Sequence, residues 1–254
     1  MPKLTATVIT LNEAANIEAS LASIAWADEI LVIDSGSTDG TPDLARARGA
    51  RVVVKDWPGY SAQKNFAAVQ AAHDWILSVD ADERVTPELA AQIRQLLTTE
   101  PGIAGYRIPR VTWHLGRWIR VTDWYPDPQL RLYDRRRAKW AERRVHESVT
   151  ADGLVERLTG ELQHYAYRNV SHHFATMDRY TTLAAEEMYA QGRRAGAFDL
   201  IAHPPATFLR NYVLRRGFTA GMTGFIISAM NSFYVFMKFV KLWSIQRGPG
   251  GGPG

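Results

Sequence analysis

The chain has 254 residues, 46% hydrophobic and 22% charged, with a formal net charge of +4 and no cysteine. That apolar content supports a sizeable core, in one large domain or two small ones, and excludes a disordered chain. Disulfides and thiolate metal sites are excluded too, which fits a reducing compartment.

The start, Met1-Pro2-Lys3-Leu4, leads into a strand-like run without the apolar core or cleavage site of a signal peptide, so export is not expected. Residues 4–11 (LTATVITL) are β-branched and apolar and predict a central strand, with Asn12 and Glu13 at its carboxyl end. Residues 14–25 carry helical spacing at Ile17, Leu21 and Ile24. Residues 29–33 predict a second strand running into Asp34-Ser35-Gly36-Ser37-Thr38-Asp39-Gly40-Thr41, a polar turn that opens a helix over 42–49. A strand at 51–54, a helix at 61–72 and a fourth strand at 75–79 follow.

The fourth strand ends in Asp80-Ala81-Asp82-Glu83. Asp-x-Asp puts two carboxylates on one face of an extended chain, where both can meet a divalent cation. Hard oxygen ligands beside a phosphate suit Mg²⁺ or Mn²⁺. The competing reading is a solvated acidic turn capping the helix that begins near Thr86-Pro87. Strand and helix alternate four times, which predicts a parallel α/β sheet with right-handed crossovers. Its polar junctions at 12–13, 34–41 and 80–83 should then converge on one crevice at the carboxyl edge.

Beyond a helix over 86–98 the pattern is irregular. Short strands at 105–109, 129–133 and 156–165, with Trp113, Trp118, Trp124, Tyr125 and Trp140 among them, predict an extension of the sheet plus covering loops. Arg135, Arg136, Arg137, Lys139, Arg143 and Arg144 cluster, which suits nucleic acid, anionic lipid, a phosphorylated acceptor or a nucleotide diphosphate. A solvated or lipid-facing patch at Arg135, Arg136 and Arg137 is the plainer reading.

Residues 171–191 predict a long helix with a polar face. Between Arg216 and Lys238 there is no charged residue. About 20 residues suffice to span a bilayer, but Gly, Thr, Ser and Asn interrupt the run. Flanking Arg210, Arg215, Arg216, Lys238, Lys241 and Trp243 suit a segment, 207–243, lying in or dipping into an anionic membrane interface. A buried core helix pair is the alternative. The chain thus divides into an α/β half at 1–100, a second half of the same domain at 101–170, a helical membrane-associating region at 171–247 and a flexible Gly/Pro tail at 248–254.

The motifs VITLNE, VIDSGSTDGT, Gln63-Lys64-Asn65 and VDADE, in that order, resemble the nucleotide-sugar domain of the family-2 glycosyltransferases, inverting enzymes of the GT-A fold. Arg131-Leu132-Tyr133, then Arg144-Val145-His146-Glu147, and the stretch from Phe208-Leu209-Arg210 to Lys241-Leu242-Trp243 resemble the bacterial lipopolysaccharide-core glucosyltransferase branch. The resemblance implies a GT-A type, Rossmann-like α/β fold: a mostly parallel sheet with flanking helices, followed by C-terminal amphipathic or hydrophobic helices.

It also implies roles. Asp34 would accept the uracil imide hydrogen, Lys64 contact the base or diphosphate, and Leu11 and Glu13 line the uridine pocket, with Asn12 and Ser37 among the nucleotide-sugar-binding residues. Asp80 would hold the ribose and Asp82 coordinate the Mg²⁺ or Mn²⁺. Read from the residues alone, Asp34 and Asp39 also suit helix caps, Lys64 and Asn65 solvated helix positions, and Glu83 an acid that supports the ligands or starts the helix rather than a ligand itself. Arg131 suits a bidentate phosphate clamp.

The Glu-Asp and Gln-x-x-Arg-Trp acceptor motifs of the wider family are not evident. The branch pattern offers Glu147, preceded by His146, as the base for the acceptor hydroxyl. Asp123, Asp127 and His146 are its rivals, and pairing with Arg143 or Arg144 is its structural alternative. His164, His172 and His173 fit no zinc signature. The implied activity is inverting transfer of a hexose, glucose from UDP-glucose, to an inner-core heptose of lipopolysaccharide. The acceptor would be lipid-linked, at the cytoplasmic face of the bacterial inner membrane, with no nucleic-acid partner. Transfer to polyprenyl phosphate, and a non-catalytic, membrane-peripheral nucleotide-sugar-binding module, are the competing readings. No Gly-x-Gly-x-x-Gly follows the first strand, which disfavours a dinucleotide enzyme.

Overall fold

The computed structural model describes residues 1–141 and 148–248. In chain order its first elements are β1 (Leu4–Thr10), α1 (Ile17–Ser23), β2 (Glu29–Asp34), α2 (Thr41–Ala47), β3 (Arg51–Val54), α3 (Tyr60–Gln70) and β4 (Trp75–Asp80). Next come β5 (Glu83–Val85), α4 (Pro87–Leu96), β6 (Gly105–His114), β7 (Arg117–Ile119), β8 (Asp127–Asp134), β9 (Ala138–Trp140), β10 (Val149–Ala151), β11 (Val155–Arg157) and β12 (Leu162–His164). The last are α5 (Val170–Ala190), α6 (Ala197–Ile201), α7 (His203–Leu209) and α8 (Gly221–Ile245). The chain divides into two compact units, Met1–Thr112 with Asp127–Ala166, and Trp113–Pro126 with Tyr167–Gly254.

The first unit is built on a mostly parallel sheet in the order β3-β2-β1-β4-β8-β6-β12-β5. Every residue of β1 is buried, as an apolar strand covered on both faces should be. Burial of each large side chain such as Val8 or Ile9 contributes about 1.5–3 kcal/mol. Val8 pairs in register with Val32 on β2 and Val79 on β4, so the carboxyl ends of the three strands lie side by side. β8 inserts antiparallel between β4 and β6, and β11 and β12 run parallel to β6. The expected strand at 105–109 is the first half of β6, which continues to His114 because β8, β11 and β12 all pair with it. The expected strand at 156–165 is two short ones. Helix α4 starts where its cap predicts: Thr86 Oγ1 accepts from Leu89 N at 3.2 Å, with Pro87 in the first turn.

The second unit is helical. Asn169 caps α5 by accepting from His172 N at 2.8 Å. The helix buries His173, Met177, Thr181 and Ala185 at a spacing of four, one stripe of the helix. That stripe packs on α8, where Phe174 meets Phe233 with ring centroids 6.3 Å apart. Lys241 Nζ donates to Asp178 Oδ1 at 2.6 Å. The segment Trp113–Pro126 is tied in by Asp123 N donating to Asn211 Oδ1 at 2.8 Å and Trp124 Nε1 to Asn231 Oδ1 at 3.0 Å. Between α7 and α8 the chain makes a π-helical turn at Arg210–Leu214, a left-handed residue at Arg216 (φ 57°) and a 3-10 turn at Gly217–Ala220. Gly217–Ile245 is long and apolar enough to cross a membrane by length and composition.

Candidate active site

The carboxyl edge of β1, β2 and β4 gathers the polar junctions. Register places Thr10 beside Asp34 and Ile9 beside Asp80, so both acids flank the end of β1.

Asp34 ends β2 and is buried. Its Oδ1 accepts from Gly36 N at 2.9 Å and Ser37 N at 2.8 Å, and its Oδ2 from Ser37 Oγ at 2.5 Å. The acid therefore shapes its own turn. The loop after β1 is stitched to that turn. Asn12, in the left-handed region at φ 56°, accepts from Thr38 N at 2.9 Å through its Oδ1, and its own N–H donates to Ser37 Oγ at 2.8 Å. Glu13 N donates to Thr41 Oγ1 at 2.9 Å, and Leu11 stands half-exposed beside it. Asp39 accepts from Thr41 Oγ1 at 2.5 Å and Ala14 N at 3.0 Å; these donors hold its carboxyl below the ordinary value. Asp39 thus bridges two loops, while Gly40 occupies the helix-cap position without a side-chain bond.

The second group lies at the end of β4. Lys64 on α3 brings Nζ to 3.0 Å from Asp80 Oδ1 and lies 4.5 Å from the Trp140 ring centroid. Arg131 on β8 donates through Nη2 to Asp80 Oδ2 at 2.6 Å and to Glu83 Oε1 at 2.8 Å. Glu83 also accepts from Asp80 N at 2.9 Å and Arg110 Nη1 at 3.2 Å, and Arg110 Nη2 reaches Asp127 Oδ2 at 2.6 Å. Asp82 Oδ2 lies 3.3 Å from His164 Nε2 on β12.

Exposure sorts these groups. The side chains of Lys64, Arg131 and Glu83 are 5%, 4% and 0% exposed, those of Asp80 and Asp82 26% and 28%. Two carboxylates face outward from a sealed array of alternating charge. Burial by itself would raise Asp80, but the Arg131 guanidinium and the Lys64 ammonium outweigh it and hold the carboxyl well below the usual carboxylate range. For Asp82 burial again raises and His164 lowers, with the net shift downward despite the neighbouring Asp80 charge. Both present ionised oxygens at neutral pH.

Among the described residues there is no group of three or more His, Asp or Glu side chains set to hold a metal. Asp80 is committed to its cations, which leaves Asp82 as the main protein oxygen. That donor set fits Mg²⁺ or Mn²⁺ held by one or two carboxylates plus water and substrate phosphates, and not a dedicated cage.

Several expected residues meet here: Leu11, Asn12, Glu13, Asp34 and Ser37 in one loop pair, Lys64, Asp80, Asp82 and Arg131 in the charge array. Arg131 sits behind Asp80 rather than at an open face, and so positions it. Glu147 and His146 lie outside the described residues. Asp127 is paired with Arg110, and Asp123 belongs to the second unit, held by Arg210 and by Asn211 Nδ2 at 3.0 Å. His173 also lies in that unit, stacked on Tyr167 at 4.0 Å and 3.2 Å from His114.

Within the basic cluster, Arg135 and Arg136 are bonded to protein groups, Arg136 and Lys139 remain exposed, and Arg143 and Arg144 lie outside the described residues. Arg135 donates to Ala68 O, Ala71 O and Asp74, and Arg136 to Asp134 and Glu100, at the amino end of β4. Sequence reasoning missed Arg110, which carries no local signal, and the pairing of His164 with Asp82, because His164 was weighed only against zinc spacings. Glu83, one of the three acids that end the fourth apolar run, is buried and accepts from Asp80 N.

A family model described as glycosyl transferase family 2 matches residues 5–156. The lipopolysaccharide core biosynthesis glycosyltransferase LpsC of Rhizobium meliloti (strain 1021) is 31% identical over 252 residues, covering 96% of this chain and 93% of the relative. A glycosyltransferase of Rickettsia bellii (strain RML369-C) is 32% identical over 262 residues, covering 97% and 89%. Among solved structures, mannosyltransferase PcManGT from Pyrobaculum calidifontis in complex with GDP-Man and Mn²⁺ matches with a TM-score of 0.59 at 16% identity, over 96% of this chain and 88% of that one.

Proposed function

The chain belongs to glycosyl transferase family 2 and has the GT-A fold, and from that premise we propose that it transfers glucose from UDP-glucose, with inversion, to an inner-core heptose of a lipid-linked lipopolysaccharide acceptor. The observation that carries this reading is the adjacency of Asp34, Asp80 and Asp82 at neighbouring strand ends, with Asp80 backed by the buried Lys64 and Arg131 and Asp82 set beside His164. The likeness to LpsC supports the acceptor class.

Asp34, fixed by three donors of its own turn, keeps a lone pair for the uracil imide N–H, since a carboxylate accepts about four hydrogen bonds. Lys64 and Arg131 hold Asp80 ionised and oriented toward the ribose hydroxyls. Asp82 would hold Mg²⁺ or Mn²⁺, a cation that would supply charge to offset that growing on the departing diphosphate. In the transfer step the acceptor oxygen bonds to the anomeric carbon from the face opposite UDP. The bond to the diphosphate oxygen breaks with its electron pair on UDP, and the acceptor proton passes to Glu147. The stretch 207–243 associates the enzyme with the cytoplasmic face of the inner membrane, which the apolar α8 supports.

The test is an assay of the purified chain with labelled UDP-glucose and a deep-rough lipopolysaccharide acceptor, read by product NMR. A β-linked glucosyl product that disappears in Asp82→Ala and falls at least a hundredfold in Glu147→Gln, with UDP binding retained, is expected. Transfer to polyprenyl phosphate alone, or an α-linked product, overturns the reading.

A further inference from the structure

By rise alone the 25 residues of α8 reach about 37 Å, more than the roughly 30 Å of a bilayer core. Its packing argues against a span. From the middle of α8 to its end one face is clad by α5: Phe233 meets Phe174, Lys241 Nζ is bonded to Asp178, Thr181 and Thr182, and Leu242 shares a core with Ala185. The side of α5 opposite its buried stripe carries the exposed charges Arg179 and Glu186. A spanning α8 would draw them into hydrocarbon, where ionised side chains are excluded.

The start of α8 and the turns before it are different. Leu209, Val213, Leu214, Phe218, Met222 and Phe225 are exposed, Leu214 at 77% and Met222 at 72%. Three arginines, Arg210, Arg215 and Arg216, stand among them, and no acid lies between residues 208 and 225. Among the described residues Asp123 offsets two of these cations, Arg210 and Arg215. The fold holds this shape tightly. A Cβ on Gly217 would lie 2.8 Å from Asn211 O, and one on Gly224 would run into the Gly217 carbonyl. A rigid apolar tip ringed by cations is complementary to an anionic bilayer surface, with apolar groups below the headgroups and guanidiniums at the phosphates.

We infer that the protein is monotopic: the elbow formed by residues 208–225 dips into one leaflet of an anionic membrane, while the rest of α8 stays on the same side, packed on α5. This deepens the membrane-association reading above and rests on it. The occupant is the lipid surface, because the arginines suit phosphate headgroups.

The absence of native cysteine makes the test clean. Leu214→Cys and Ser244→Cys are each labelled with the environment-sensitive fluorophore NBD and mixed with sealed phosphatidylglycerol/phosphatidylcholine vesicles. The Leu214 probe should shift to the blue on vesicle addition and the Ser244 probe should not, and dithionite added outside should bleach both. The double variant Leu214→Asp/Met222→Asp, both positions exposed, should bind these vesicles about tenfold more weakly or worse with an unchanged circular dichroism spectrum.

A wild-type chain that does not sediment with the vesicles overturns both this inference and the membrane reading. Sedimentation with either probe protected from dithionite until detergent is added means a span, and overturns the inference alone. Sedimentation with no shift at Leu214, or a Leu214 probe already blue before lipid is present because a second copy covers it, likewise overturns the elbow.

Discussion

The two units place their difficult groups in opposite ways. The first buries charge: Lys64, Arg131 and Glu83 are packed beneath the sheet edge, with Asp80 and Asp82 looking outward. The second buries neutral polar groups, Asn211, Ser228 and His173, and leaves large apolar side chains in water. Neither choice is what stability alone would select. A buried ion-pair array is often no more stable than an apolar one of the same volume, and an exposed apolar patch marks a contact surface. The first arrangement fixes the direction of two carboxylates, the second the shape of a surface.

The sharpest way to break the contrast is to unbalance the buried array. Glu83→Ala leaves Arg131 and Arg110 without their shared acceptor and should cost about 3–5 kcal/mol in urea unfolding. A loss below about 1 kcal/mol would mean the array behaves like surface charge.

Acid should separate the units next. Burial and the charges of neighbouring His114 and His172 push His173 down to about 4. The unfolded chain therefore binds this proton first, at an ordinary pKa of about 6.5. The stabilisation is complete above that value and drains away as pH falls toward about 4. In the first unit Glu29 and Asp134 are depressed: burial raises both, but for Glu29 the Ala72 N–H, the Thr5 hydroxyl and Arg51, and for Asp134 the bonds from Arg136, win. Their contribution is complete above the ordinary carboxylate value of about 4 and is lost only below it. Between pH 6.5 and 4.5, hydrogen exchange should therefore quicken in α5 and α8 before β1 and β4, and His173→Gln should remove that difference.

A smaller effect is expected at the elbow. Gly224→Ala forces a methyl against the Gly217 carbonyl and should cost about 1–3 kcal/mol, lowering vesicle affinity with it. The smallest is Lys241→Met, which loses the Asp178 and threonine bonds but keeps the apolar stem. About 1 kcal/mol, read as a shift in the unfolding midpoint, is expected.

The same contrast explains what the sequence disclosed. β1, β2 and β4 were legible because each is an apolar run ended by polar residues, and Asp34, Asp80 and Asp82 because they stand at those ends. Arg110 and Arg131 were not readable as a pair, since they meet Glu83 only through the insertion of β8 between β4 and β6, a long-range pairing without a local signature. Nor was the membership of Trp113–Pro126 in the helical unit. It rests on contacts far apart in the chain, among them the bonds from Asp123 to Asn211 and from Trp124 to Asn231 across 88 and 107 residues.

Asn65, in a motif that sequence alone allows to be a solvated helix position, has one more effect. Its amide gives Nδ2–H to Trp140 O and takes Trp140 N–H on Oδ1, both at 2.9 Å, as a neighbouring strand would. Among the described residues the ribbon of β9 and β10 has two strands, and an open ladder invites pairing with another molecule. One side-chain amide closes the rung at Trp140, a guard against aggregation supplied by the helix that also carries Lys64.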